Sequence, residues 1–234
     1  MPWWIVPALF LVALAVASIR TARGARGARP FAATATHYRA LYSRRRFLRL
    51  GCATAVSAVL AYSGADVLVD DWHREKVKGR ASDGLATYLH QYGERFWFAY
   101  WAAFALVDSF LVSTPLSRWG RRNFEAMLTG LPMLWGTQRL LGAARPRDAT
   151  HGPRFLPLAD DNSASGHAFI SSIPLWMGAR SIEQPVARLA ILALLPWVGW
   201  SRINDRKHYL GQVLLGWWIG SESVDAVREP EEAP

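Results

Sequence analysis

Two arginines and two histidines in the second half of the chain are of the right types to handle a phosphate group. They fall in three short stretches: Gln138 to Pro146, Ser163 to His167, and Ser201 to Gln212. Arg145 and Arg202 stand at the ends of apolar segments, beside loops. A guanidinium stays charged and grips phosphate oxygens with paired hydrogen bonds. Ser165 and Gly166 precede the apolar segment 168–179, where free N–H groups at a helix start suit an anion and Gly allows close approach. His167 and His208 each stand at a helix start. One imidazole can attack phosphorus while the other protonates the leaving oxygen. The sequence has no cluster with metal-ligand spacing, so the arginines are expected to supply the charge stabilisation, with no cofactor.

Taken singly, these features have plainer readings. Arg-Pro ends helices, Ser-Gly-His makes a cap and turn, and an arginine beside tryptophans anchors a membrane interface. Order and spacing carry the case. Arg145-Pro146, then Ser165-Gly166-His167, then Ser201-Arg202 with His208 six residues on, resemble the signature of the type-2 phosphatidic acid phosphatase and vanadium haloperoxidase superfamily. The likeness covers about residues 124–225. It implies an all-α bundle with the three loops converging at one end. It also implies a phosphate held by Arg145, Arg202, Gln138, Ser165 and the Gly166 amide. His208 would form a phosphohistidine, His167 would act as acid and then base, and vanadate would inhibit.

Three positions depart from that pattern. Gln138 stands where the family has lysine. Arg139, about 100° further round the helix, is an imperfect substitute. Ala164 replaces a proline. Gln212 replaces the aspartate that orients the nucleophile. It completes the catalytic set with His208 and His167, because positions four apart share a helix face. A neutral amide orients an imidazole but stabilises its charged form less than a carboxylate does. Asp160 and Asp161 lie close enough in sequence to face the same pocket.

The elements that must position these residues are apolar segments of helical length: 3–19, 50–65, 96–114 (interrupted by Asp108), 126–138, 168–179, 189–201 and 209–221. Twelve tryptophans and 51% hydrophobic residues fit membrane contact as well as a core. The net charge of +9 is matched by nine arginines and no acid between residues 20 and 50. A basic stretch between apolar runs reads as a cytoplasmic loop or anionic-lipid contact, so nucleic acid is not an expected partner. If all seven segments span, the loop 115–123 falls on the same side as that basic block. Ser43 to Arg49 before an apolar run also resembles a twin-arginine export signal. Either reading puts the three motifs outside the cytoplasm, on the non-cytoplasmic face of a bacterial-type inner membrane. The composition excludes a disordered chain, and the single cysteine, Cys52, excludes a disulfide scaffold.

The sequence therefore predicts an all-α integral membrane bundle of about six or seven helices. Residues 1–65 form N-terminal apolar helices and a basic loop, 66–95 a polar connection, 96–228 the phosphatase-like domain and 229–234 a tail. The expected activity is metal-independent removal of phosphate from a phospholipid or polyprenyl phosphate or diphosphate. The alternatives are a non-catalytic binder of phosphorylated lipid and a vanadate-dependent oxidase.

Overall fold

The computed structural model describes residues 33–148 and 150–232, with side chains as far as residue 228. The apolar run 3–19 and the arginines at 20, 23, 26 and 29 lie outside the described residues. All the regular structure among the described residues is helical. In chain order the helices are α1 (Thr34–Leu41), α2 (Arg44–Tyr62), α3 (Ala65–Lys76), α4 (Arg80–Leu89), α5 (Phe96–Leu106), α6 (Pro115–Leu141), α7 (Gly166–Ser181), α8 (Pro185–Leu192), α9 (Leu195–Asn204) and α10 (Leu210–Glu232). A 3₁₀ turn, His90–Gly93, follows α4, and a π-helical turn, Val107–Leu111, ends α5. The described residues thus hold more helices than the six or seven expected. The segment 66–95, read as a polar connection, is itself mostly helical, and 185–204 breaks in two at Ala193-Leu194.

Helices α6, α7 and α10 pack on one another at the centre, with α5 on α6 and with α2 on α10. Their shared core includes Met127, Phe104, Phe169, Ile173, Leu215 and Ile219, all essentially inaccessible to solvent. Gly216 lets α10 approach the loop before α7 so closely that a Cβ there would sit 2.4 Å from the Ser165 carbonyl oxygen.

Helix α6 illustrates how local sequence sets the bounds. Thr114 caps its start by accepting from the Ser117 N–H at 3.0 Å, and the Ser117 hydroxyl accepts from the Thr114 N–H at 2.7 Å. Pro115 takes the first helical position, where no N–H is needed. Gly142 ends the helix at φ 65°, with its N–H on the Gln138 carbonyl at 3.1 Å. That left-handed residue turns the chain directly into the first motif. Asp108, an interruption when read in sequence, is buried. It accepts from Ser113, Ser117 and the Arg121 Nε, the last at 2.8 Å. A charge inside an apolar helix survives because it is paired.

The N-terminal helices are tied to the bundle through another buried charge. On α2, Arg46 donates to Glu222 of α10 and Arg49 forms an ion pair with it at 2.6 Å.

Candidate active site

The three motif loops converge at one end of the bundle around a cavity of about 380 Å³, lined by His90, Glu94, Arg145, His167, Arg202, Asp205, Lys207 and His208. Residues 145, 167, 202 and 208, separated by up to 63 positions, are brought to one hollow as the motif order implies.

Arg202 lies near the C-terminus of α9 and is 5% exposed. One guanidinium nitrogen, Nη2, lies 3.3 Å from Asp205 Oδ2, while Nε and Nη1 are buried with no hydrogen-bond partner among the described residues. Buried unpaired donors are costly, more so on a charged group. Arg145 is held by Nε donating to Asn162 Oδ1 at 2.6 Å, and Asn162 Nδ2 donates in turn to Asp160. Asp160 therefore acts on the cavity through Asn162.

His208 is fixed by Gln212. The Gln212 Nε2 donates to the Ala144 carbonyl at 2.8 Å, which sets the orientation of the amide. Its Oε1 accepts from the Tyr209 N–H at 3.1 Å and lies 3.0 Å from His208 Nδ1. Since Oε1 only accepts, Nδ1 carries the hydrogen and Nε2 keeps its lone pair. Burial, with Arg202, His167 and Arg145 adding positive charge, pushes the His208 pKa down to about 3. The imidazole is therefore neutral at pH 7, the form a nucleophile needs.

His167, in the first turn of α7, lies with Nε2 3.2 Å from Glu94 Oε1. Burial and the positive charge of Arg202 bring its pKa down to about 4, against the opposing pull of Glu94. The 3₁₀ turn can press against His167 only because residue 93 is glycine. A Cβ on Gly93 would lie 2.7 Å from both the His167 Cβ and its carbonyl oxygen.

Gln138 and Ser165 are engaged with backbone. Gln138 Nε2 donates to the Ala164 carbonyl at 2.7 Å, and the Ser165 hydroxyl accepts from the Ala168 N–H at 3.3 Å as the cap of α7. Ser165 is fully buried, whereas Gly166 keeps partial exposure. Arg139 points away, exposed, 3.4 Å from Asp161.

The segment 66–95 supplies supports that no motif announced. Asp66 accepts from the Gly211 N–H at 2.8 Å, Asp70 pairs with Arg206 at 2.9 Å, and Asp83 accepts from Asn204 Nδ2 at 2.8 Å. Three carboxylates on α3 and α4 thus anchor the third motif. Arg206 joins that motif to the first by donating to the Pro146 carbonyl at 3.0 Å, in a left-handed backbone conformation of φ 52°. Lys207 and His90 also line the cavity. Glu94, His90 and Asn162 carry no spacing signal, because each reaches the site through tertiary contact alone. Among the described residues, no three His, Cys, Asp or Glu side chains are grouped to hold a metal ion.

No family model, curated protein or solved structure matches this chain.

Proposed function

We propose that the chain is a phosphatase of the type-2 phosphatidic acid phosphatase kind, embedded in a membrane and acting on a lipid phosphate through a phosphohistidine. One observation carries this reading. A buried guanidinium whose Nε and Nη1 have no partner among the described residues shares a cavity with a neutral histidine whose Nδ1 is locked by Gln212. Unpaired cationic donors suit the equatorial oxygens of phosphorus under attack.

In the proposed cycle the substrate phosphate binds Arg202 and Arg145, with the Gly166 amide at the α7 N-terminus. The His208 Nε2 lone pair attacks phosphorus, and the bond to the leaving oxygen breaks as that oxygen takes a proton from His167. Water, losing a proton to His167, then attacks the phosphohistidine. Cleavage of the P–N bond releases inorganic phosphate and restores both imidazoles. An arriving phosphate anion offsets Arg202 and raises the His167 pKa, so binding itself favours the protonated acid.

The membrane setting rests on outward apolar faces. The stretch Pro185–Asn204 is long and apolar enough to cross a bilayer, and only 28% of that window is buried. Helices α2 and α3 pass the same test together, bent by 62°. On α2, beyond the exposed Arg44, Arg45 and Arg49 at its start, Val56, Val59 and Tyr62 face outward, an apolar stretch that suits contact with lipid. With the α1–α2 arginines on the cytoplasmic side, the cavity opens on the other face.

A second reading is a lipid-phosphate binder without turnover. It is favoured by Gln138, whose amide is committed to the Ala164 carbonyl where the resembling family has a lysine. Incubation with a lipid monophosphate, acid-free quench and peptide mass spectrometry distinguishes the two. Phosphate on His208, absent from His208→Ala, supports the phosphatase. Binding of inorganic phosphate with no label or release supports the binder.

A further inference from the structure

A second cavity of about 500 Å³ lies beside the first, and its walls are almost wholly apolar. The two are built on the same elements. Tyr88 and Tyr92 face the apolar groove from the segment that gives His90 and Glu94 to the phosphate site. On α7 the groove begins at Ile170, three residues or roughly 4.5 Å beyond His167. On α9 it ends at Val198, four residues or roughly 6 Å before Arg202. One wall is a cluster of aromatic rings packed edge to face: Trp97 lies 4.8 Å from Tyr100, and Trp101 lies 5.1 Å from Trp119, between ring centroids.

We propose that this groove takes the hydrocarbon chain of the substrate, and that it takes one chain, so that the preferred substrate is a single-chain lipid phosphate. The inference rests on the phosphatase reading and adds the number of chains. A methylene occupies about the volume of a water molecule, roughly 30 Å³, so the groove holds about 17 of them. That is one isoprenyl or acyl chain of ordinary length, and half of what a diacyl lipid carries. The offset of one helical turn between His167 and Ile170 places the ester oxygen at the acid and the first chain carbons at the groove mouth. Apolar burial then draws the chain in, in proportion to the surface covered.

The test is phosphate release by the full chain in detergent micelles from four substrates: farnesyl phosphate, oleoyl lysophosphatidic acid, dioleoyl phosphatidic acid and p-nitrophenyl phosphate. Two variants, Leu175→Trp and Leu194→Trp, fill the groove. Leu194 is 51% exposed, so its replacement leaves the core intact. The expected kcat/KM for the single-chain substrates exceeds that for p-nitrophenyl phosphate by about a hundredfold and that for the diacyl lipid by about tenfold. Either variant removes the advantage while p-nitrophenyl phosphate hydrolysis stays within about twofold. Farnesyl against oleoyl identifies the chain type. Equal turnover of one- and two-chain lipids, or equal loss on all four substrates, overturns the inference. Absence of turnover on every substrate overturns the phosphatase reading instead, and the groove is then judged by binding. A Tm raised by farnesyl phosphate in the wild type but not in Leu175→Trp upholds it, and an unchanged wild-type Tm overturns it.

Discussion

Glu94 and His167 meet at 3.2 Å across the mouth of the cavity, from positions 73 residues apart. Among the described residues, the carboxylate in contact with a motif histidine therefore touches the proposed acid, while the proposed nucleophile has the neutral Gln212. Glu94 is a positioning residue that favours the protonated form of His167 against the field of Arg202.

Glu94→Gln is expected to lower the His167 pKa further. A general acid works only while protonated, so the alkaline limb of the kcat profile moves to lower pH. Glu94→Asp restores part of the shift. A profile unchanged in Glu94→Gln contradicts this role, whatever the variant does to KM.

Gln212→Ala removes the acceptor that orients His208 and leaves the Ala144 carbonyl and the Tyr209 N–H without their partner. A misplaced nucleophile costs about 10²-fold in kcat, with KM for the phosphate little changed because Arg145 and Arg202 remain. The lost hydrogen bonds lower stability by about 1–3 kcal/mol, seen as a reduced Tm. A kcat within threefold of wild type contradicts the orienting role.

Folding stability carries a pH signature from the same site. His167 and His208 have folded pKa values of about 4 and about 3, against 6.5 for the free side chain. Below pH 6.5 the unfolded chain takes up protons that the folded chain refuses, so stability present above that pH is lost as pH falls toward 4. In His208→Gln one of these groups is gone. The Tm difference between wild type and variant is expected to shift in favour of the variant between pH 7 and 4.5. A constant difference contradicts the neutral, buried state of His208.

Glu222→Ala removes the buried carboxylate that pairs with Arg46 and Arg49. The expected loss is about 3–5 kcal/mol, read as a fall in Tm, with activity per folded molecule retained because the cavity lies elsewhere. An unchanged Tm contradicts a structural role for the α2–α10 tie.

The site was legible where the chemistry is local. Gln212 falls one turn after His208, and Arg202 precedes it across a tight loop, so spacing alone puts them together. The helical class was legible from apolar segments of helical length. What escaped were contacts made by folding: Glu94 on His167, Asn162 on Arg145, and Asp66, Asp70 and Asp83 on the third motif. Polar residues on α3 and α4 look like a solvated connection in sequence, because a carboxylate seeking water and one seeking a backbone N–H are the same letter. Gln138 was expected at the phosphate, yet its side chain turns to the Ala164 carbonyl. An amide can donate to backbone there, and sequence does not say which acceptor wins.

The most direct test of the phosphatase account is release of inorganic phosphate from a single-chain lipid phosphate, in EDTA, by purified wild type and His208→Ala side by side. The account predicts sustained release by the wild type, inhibition by vanadate and a rate at background for the variant. Equal release by both proteins, or none by a folded wild type that still binds inorganic phosphate, contradicts it.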